Sequence, residues 1–334
     1  MHMKHYQKYI QLAWFFGILL NLNLAFPIYS QTTSKDKLMY FCTVSDEKHF
    51  TLLLNLIGSI HKLHFDDLGQ IAVYDIGLSE SQIQELSRIQ KVKVYEIEKT
   101  NPDMFVVYNI GKPLGNKYDG VERAVRGWYS WKPVAIKQAS ELFPYFLYID
   151  AGAVILNPIN KLFDYIREKD FFAVDCGRSI RWQATQYIID KFNLNSASKK
   201  WLLDEQTLGL SAGLMGVSHR IYQSFVVPIY ELTHDIKNFV DDGTTPDGFG
   251  TARYDQPLFS ILARLHNLNI FTLNRKDNSP VLLTVENEEI PLYVAEPAWG
   301  KNPSINYDEK THVYQCRWQE VPDLRPYIQK FNVN

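Results

Sequence analysis

One carboxylate, that of Asp150, stands where the tip of a strand would present it to a ligand. It follows the apolar residues 146–149 and precedes the small pair Ala151-Gly152. In open α/β sheets, ligands bind outside the carboxyl ends of the strands. Gly152 also lets a ligand approach the backbone closely. Because Asp often caps a turn after a strand, this local pattern leaves a structural role open beside a binding role.

Further candidate residues stand near the ends of other predicted elements. Lys132 falls in the first turn of a predicted helix over 131–142, where a positive charge is mildly unfavourable and a bound anion would compensate it. Asp255 and Gln256 begin another predicted helix, so Asp255 is an N-cap or a substrate contact. The small residues Ala212 and Gly213 lie in a predicted strand.

The elements that position these residues alternate between strand and helix. The apolar spacing of 52–63 predicts a helix, and Ser79 with Gln82 forms a capping box at the start of the next one. Further strands are predicted at 38–44, 71–75, 92–97, 146–150, 171–175, 212–217 and 270–273. The alternation over the first hundred residues is typical of a parallel, Rossmann-like half. Residues 101–127 look irregular, and 241–250 are turn-rich and acidic.

The whole chain is therefore expected to be an α/β protein with a Rossmann-like mixed sheet flanked by helices. No internal repeat or long linker divides it, and one domain over 38–330 is predicted. The 334 residues are 46% hydrophobic, which is globular composition, and the net charge of -2 argues against a nucleic-acid partner. The absence of GxGxxG, Walker, HExxH and GxSxG motifs disfavours the common nicotinamide, ATP, zinc-protease and α/β-hydrolase enzymes.

The N-terminus has the layout of a secretory signal. Lys4 and Lys8 precede the apolar run 12–20, and Pro27 and Ser30 follow it. A signal peptide over 1–30 is favoured, which predicts a secreted or lumen-facing protein. A signal-anchor that tethers the chain to the membrane through 10–28 is the alternative.

The three cysteines carry little chemical information. No CxxC pair is formed by Cys42, Cys176 and Cys316, so no zinc site is predicted. An odd number in an exported chain permits one disulfide and one free thiol.

Several segments resemble motifs of nucleotide-sugar glycosyltransferases with the GT-A fold. Residues 148–159 (YIDAGAVILNPI) resemble the segment around the DxD motif of family 8 enzymes and their relatives. Residues 128–133 (WYSWKP) look like the helix start before that strand in small related families. Residues 210–217 are similar to the strand beside the donor sugar, and 254–257 (YDQP) to the Asp-Gln pair of a later helix. His312 falls where family 8 enzymes carry a late metal-binding histidine.

This resemblance implies a GT-A fold and a set of site residues. The donor would be a nucleotide sugar, the acceptor a glycan, protein or lipid, and the cofactor Mn²⁺ or Mg²⁺. The implied catalytic residues are Asp255 and Gln256, and the implied metal ligands are Asp150 and His312. The implied binding residues for donor and cofactor are Asp150, Ala151, Gly152, Lys132, Ala212 and Gly213.

The chain departs from the family pattern at two points. Gly152 replaces the second acid of DxD, and no HxxGxxKPW signature follows His312. The metal could be absent, with a cation such as Lys132 neutralising the diphosphate. Retaining and inverting reactions both stay open, with Asp255 or Asp247 as the base of an inverting enzyme. The alternative functions are a non-catalytic relic that binds carbohydrate or protein, and a glycan hydrolase that uses Asp150 with a second acid.

Overall fold

The computed structural model describes residues 37–110, 123–271, 282–285, 288–291, 307–308, 313–315 and 320–332. The predicted signal segment 1–30, the tether 10–28, His312 and Cys316 lie outside them. No helix in the described ranges has the length and hydrophobicity needed to cross a membrane.

Seven strands form the main sheet. They are β1 (Met39–Ser45), β2 (Leu68–Asp75), β3 (Val92–Glu96), β6 (Tyr145–Ile149), β7 (Phe171–Ser179), β8 (Leu208–Ser218) and β9 (Ile270–Phe271). The spatial order is β3-β2-β1-β6-β8-β7-β9. The pairs β1–β2, β2–β3, β1–β6 and β7–β9 are parallel, whereas β8 runs antiparallel to both β6 and β7. The predicted mixed α/β sheet with a parallel first half is confirmed.

Seven α-helices accompany the sheet within the described residues. They are α1 (Phe50–His64), α2 (Glu80–Ser87), α3 (Trp131–Leu142), α4 (Asn160–Lys169), α5 (Gln186–Lys191), α6 (Val227–Glu231) and α7 (Gln256–Leu265). The predicted capping box at the start of α2 is present, with Ser79 and Gln82 each bonded to the other's backbone N–H. The predicted bounds of α3 agree with the structure.

The side chains of the central strands alternate between two apolar cores. Cys42, Phe146 and Tyr148 belong to the core that contains α3 and α7. Phe41 and Leu147 belong to the other core, which contains α1 and α4. All five residues of β6 are buried, and this burial of the central strand fixes where its tip lies.

The segment 101–127 is more regular than the sequence suggested. Strands β4 (Val107–Ile110) and β5 (Arg123–Arg126) pair as antiparallel partners. The prediction of an irregular segment is wrong for 107–110 and 123–126, because a two-stranded ribbon needs only short complementary strands. Arg126 is the last residue of β5.

Short strands and a docked tail complete the described chain. The short strands are β10 (Leu282–Val285), β11 (Glu288–Pro291), β12 (Tyr307–Asp308), β13 (Val313–Gln315) and β14 (Glu320–Pro322). After β14 the chain packs on α1, where the Leu324 N–H donates to Asn55 Oδ1 (2.6 Å) and the Gln329 N–H donates to His61 Nδ1 (3.0 Å). A Cβ at Gly58 would collide with the carbonyl of Leu324, so this close approach requires glycine.

Candidate functional site

Asp150 lies directly beyond the C-terminal tip of β6, as predicted. Its backbone N–H donates to the carbonyl of Gly213 (2.9 Å), and its own carbonyl accepts from the Ala153 N–H (2.9 Å). The hydroxyl of Tyr148 donates to Asp150 Oδ1 (2.7 Å). The Asp150 side chain is 29% exposed, so one face of the carboxylate stays accessible while the other is held by the protein.

Lys132 in α3 reaches the same place from another part of the chain. Its Nζ donates to the carbonyl of Ala212 (3.1 Å). The same nitrogen lies 3.2 Å from Asp150 Oδ1 and 3.2 Å from Asp255 Oδ2. The Lys132 side chain is 4% exposed, so this is a buried cation between two carboxylates. Four predicted site residues are thereby brought together.

Asp255 precedes α7 but does not cap it through its side chain. It occupies the N-cap position without a side-chain hydrogen bond to the helix, so the purely structural explanation weighed from the sequence is not realised. Its Oδ2 lies 3.2 Å from the Lys132 Nζ, so an ion pair rather than the helix holds this carboxylate.

Burial and charge together set the protonation of this cluster. Desolvation raises the pKa of Asp255 to about 6, with a further increase from Asp150 that Lys132 only partly opposes. Burial opposes the charge on Lys132, but the carboxylates of Asp150 and Asp255 outweigh it and raise the pKa of the ammonium group. Two carboxylates that share one cation cannot both be fully compensated. Asp255 therefore changes its charge near neutral pH while Lys132 stays positive.

Aromatic rings surround the ammonium group. The Lys132 Nζ lies 5.6 Å from the ring centroid of Tyr129, 5.8 Å from that of Trp131 and 5.2 Å from that of Tyr148. Tyr129 also stacks on Tyr254, with centroids 5.4 Å apart. Ring faces at these distances attract a cation, so the aromatic residues help to keep the charge in place.

The backbone adopts left-handed conformations just before both functional segments. The φ angles are 50° at Trp128, 62° at Tyr129 and 53° at Tyr254. Gly127 has a φ of 54°, and a Cβ there would collide with the carbonyl of Met104. Bulky residues rarely adopt such angles, and those that do concentrate at functional sites. No sequence pattern predicts this backbone strain.

Gln256 points into a hydrogen-bond network beside the cluster. Its Nε2 donates to Gln183 Oε1 (2.5 Å). The amide of Gln183 in turn donates to the carbonyls of Arg178 (3.0 Å) and Ser179 (3.2 Å). Gln183 was missed from the sequence because no motif marks it. The small predicted residues Ala151 and Gly152 lie in the turn after β6.

A second ion pair lies at the tip of β1. Asp46 Oδ2 is 3.3 Å from Arg126 Nε, and Asp46 Oδ1 is 2.6 Å from His49 Nδ1. Trp131 Nε1 donates to the carbonyl of Arg126 (3.0 Å) and so connects this pair to the segment that carries Lys132. Asp46 was also missed, although an acid immediately after a buried strand is the signal that identified Asp150.

The acidic segment 241–250 is held by its own carboxylates. Asp241 is buried, and it accepts from the backbone N–H of Gly250 (2.6 Å) and of Gly243 (3.0 Å). Asp247 forms an ion pair with Arg178 (2.7 Å). Asp241 therefore has a local structural role, and Asp247 already has a cationic partner.

The arrangement around Asp150 does not fit a divalent cation in the cluster. Of the two predicted metal ligands, His312 lies outside the described residues. In the described part of the chain, no group of three or more His, Cys, Asp or Glu side chains is placed to hold a metal ion. Asp150 Oδ1 is engaged by the Tyr148 hydroxyl, and the Lys132 ammonium stands between the two carboxylates. Mg²⁺ would need oxygen ligands at about 2.0–2.1 Å in that space.

Comparison with known proteins gives matches only among structures. No family model and no curated protein sequence matches the chain. One similar structure is the galactosyltransferase LgtC in complex with donor and acceptor sugar analogues, at 13% identity and a TM-score of 0.42. That similarity covers 71% of this chain and 73% of the other.

Two further similar structures are from mouse and from Aspergillus fumigatus. Mouse xyloside xylosyltransferase 1 is 14% identical with a TM-score of 0.40, covering 71% of this chain and 84% of that one. Core-mannan synthase A from Aspergillus fumigatus, in its Mn/GDP form, is 8% identical with a TM-score of 0.43, covering 79% and 77%. The chain thus resembles solved glycosyltransferases, as its motifs predicted. Likenesses at these values carry no conclusion about its activity.

Proposed function

We propose that this chain is a glycosyltransferase that binds a nucleotide-sugar donor at the C-terminal tips of β1 and β6. The observation that carries the proposal is the buried cluster of Lys132, Asp150 and Asp255. Three segments that resemble glycosyltransferase motifs meet there, at the edge of the sheet where α/β proteins bind ligands. The accessible face of the Asp150 carboxylate is available to hydroxyl groups of a donor.

Each residue of the cluster has a proposed role. Asp150 accepts a hydrogen bond from the ribose or another hydroxyl of the donor, and the Ala151-Gly152 turn admits the diphosphate close to the backbone. Ala212 and Gly213 allow the donor sugar to lie against β8. Asp255 contacts the sugar or acceptor, and Gln256 steadies that end of the site through its bond to Gln183.

The proposed reaction moves one sugar between two oxygens. The bond from the anomeric carbon to the donor phosphate oxygen breaks, and its electron pair stays on the diphosphate. An acceptor hydroxyl oxygen forms the new bond to the anomeric carbon, and its proton passes to the Asp255 carboxylate. A pKa near 6 suits a base that works near neutral pH. The positive charge of Lys132 stabilises the negative charge that develops on the leaving group.

The test is a thermal-shift screen of nucleotides and nucleotide sugars. We expect at least one to stabilise the wild-type chain and to lose that effect in Asp150→Ala, because ligands that bind only the folded state raise its stability. Asp164→Ala, an exposed carboxylate on α4, is the matched control and should behave like the wild type. Equal stabilisation of wild type and Asp150→Ala would show that the site is misplaced.

A non-catalytic relic of the fold is separated from an enzyme by turnover. A relic would bind the stabilising nucleotide sugar without consuming it, with any acceptor. We therefore expect release of the nucleoside diphosphate from the stabilising donor when acceptor glycans, peptides or lipids are added. The relic would be favoured if the wild type released the nucleoside diphosphate no faster than Asp255→Asn with every class of acceptor.

A glycan hydrolase is a second candidate, favoured by one observation. Asp150 and Asp255 lie within 3.2 Å of the same Lys132 nitrogen, so two carboxyl groups share one site, as glycosidases require. Against it, the Lys132 ammonium group stands between the two carboxylates, where a glycosidase would place the scissile bond. Release of reducing sugar from glycans without any nucleotide sugar would favour the hydrolase.

The proposal extends to the domain organisation and the cellular location of the protein. We propose one catalytic domain over 38–330 and an exported or lumenal location, with the segment 1–30 as signal or membrane anchor. The charge and hydrophobicity pattern of 1–30 supports the location. N-terminal sequencing of the mature protein, together with membrane fractionation, distinguishes a cleaved signal from an anchor.

A further inference from the structure

Lys132 stands in a position that is unusual for a lysine. Fully buried lysines are rare and are almost always paired. Here the ammonium group has the carbonyl of Ala212 at 3.1 Å and one oxygen each of Asp150 and Asp255 at 3.2 Å. Three acceptors face a group with three N–H donors. The side chain therefore fills the space between two carboxylates from opposite ends of the site.

This occupant changes the charge of the site. A divalent ion between the two carboxylates would have to displace the ammonium group or lie beside it. Two cations at such a short distance repel each other strongly where water is largely excluded. Gly152 removes the acid that would otherwise strengthen a metal site, so the chain has one carboxylate fewer and one buried cation in addition. Both changes weaken the binding of a divalent metal ion at this site.

We infer that Lys132 is a resident cation that takes the place of the divalent metal, so that this chain binds nucleoside diphosphates without a metal ion. The inference rests on the proposed function, since it concerns the same donor site. Arg126, the last residue of β5, is partly exposed and ion-paired with Asp46 at the tip of β1, on the segment that leads to Lys132. The ligand class is an organic diphosphate whose charge is met by protein side chains.

The first experiment uses the unmodified full chain. Binding of UDP and of GDP is measured by titration calorimetry in excess EDTA and, separately, in millimolar Mn²⁺. We expect at least one to bind with dissociation constants that agree within about twofold in the two conditions, a difference well below the tenfold that 1.4 kcal/mol represents. Binding in Mn²⁺ only overturns the resident-cation inference and leaves the donor site intact. Binding in neither condition overturns the donor site itself.

The second experiment asks whether Lys132 supplies the charge. In Lys132→Met we expect binding in EDTA to weaken by at least about tenfold, as loss of a charged partner should cause. Lys137→Met, on the same helix but partly exposed and paired with Glu141, is the matched control and should bind like the wild type. Undiminished binding by Lys132→Met in EDTA would refute the inference.

A third measurement covers the case in which Lys132→Met does not fold. The double variant Lys132→Met/Asp255→Asn removes one charge of each sign and so leaves no new unpaired charge. Manganese binding to this double variant, to the wild type, to Lys132→Arg and to Asp150→Asn is followed by electron paramagnetic resonance without nucleotide. We expect the wild type to bind no Mn²⁺ at this site and Lys132→Arg to behave likewise. Specific Mn²⁺ binding by the wild type that Asp150→Asn abolishes would overturn the inference.

Discussion

The ammonium nitrogen of Lys132 lies 3.2 Å from Asp255 Oδ2, and the two side chains are 4% and 6% exposed. Asp150 shares the same nitrogen. The cluster therefore contains one buried positive charge for two carboxylates, and its members contribute unequally to stability.

The cation of the cluster and its surplus carboxylate should respond differently to mutation. Lys132→Met leaves two carboxylates without their cation, and we expect the free energy of unfolding to fall by about 3–5 kcal/mol. Asp255→Asn removes the surplus negative charge, and we expect stability at pH 7 to be unchanged or raised by up to about 2 kcal/mol. Urea denaturation measures both, with Lys137→Met as the control that removes a lysine from the same helix. Equal losses in Lys132→Met and Lys137→Met would contradict the charge balance.

The pH dependence of stability should carry the signature of Asp255. Its pKa is raised from 3.8 to about 6 in the fold, so the folded state holds the proton more tightly than the unfolded state. The contribution to stability is therefore present at pH values below about 4 and is lost as the pH rises to about 6. We expect the wild type to lose about 2 kcal/mol relative to Asp255→Asn over this range. A constant difference between the two proteins across the range would rule out the shift.

Two buried tyrosines on the same face of the sheet should differ when their hydroxyls are removed. Tyr148 donates to Asp150 Oδ1 (2.7 Å), and we expect Tyr148→Phe to cost about 1–3 kcal/mol because this is a bond to a charged group. The hydroxyl of Tyr74 has no hydrogen-bond partner among the described residues. Tyr74→Phe should therefore leave stability unchanged or raise it. Thermal denaturation of both variants tests this, and a larger loss in Tyr74→Phe would be the contrary result.

The C-terminal tail should loosen in acid. His61 is buried and accepts the Gln329 N–H, and burial lowers its pKa from 6.5 to about 4. The unfolded chain binds the proton first, so stability falls as the pH drops from about 6.5 towards 4. Between pH 7 and pH 5 we expect a loss of about 1–2 kcal/mol. A lower hydrogen-exchange protection factor of the Gln329 amide at pH 5, after correction for the slower intrinsic exchange in acid, is the direct readout.

His61→Asn is the matched variant for this prediction. Its amide oxygen can accept the same backbone N–H, but it does not titrate. The neighbouring His64, whose pKa is also lowered by burial, remains as an internal reference. A pH response in His61→Asn as large as that of the wild type would assign the effect to another group.

Much of the fold could be predicted from local patterns. Apolar runs indicated the strands, and the bounds of α3 and the capping box at Ser79 followed from helix chemistry. Asp150 could be placed at a strand tip because a single acid ended a buried run. The direction of β8 could not be predicted, since a strand that is buried on both faces has the same pattern whichever way it runs.

The arrangement within the site depended on contacts between distant segments. Lys132 was expected in a first helical turn, but its burial between Asp150 and Asp255 depends on how α3 and α7 pack on the sheet. The left-handed angles at Trp128, Tyr129 and Tyr254 have no marker in the sequence, because glycine is the usual occupant of such positions. Tyr148 was seen only as part of an apolar run, and its hydroxyl was overlooked.

The pairing of β6 with β8 has a consequence for the evolution of the site. Ile149 pairs with Leu214, and the Asp150 N–H continues the ladder to the carbonyl of Gly213. Successive side chains of a strand point to opposite faces, so a shift of one residue would turn the carboxylate away from Lys132. Insertions and deletions within β6 or β8 should therefore be excluded, whereas apolar substitutions that conserve side-chain volume are tolerated in these strands. The chemistry of this site tolerates drift in composition but not in length.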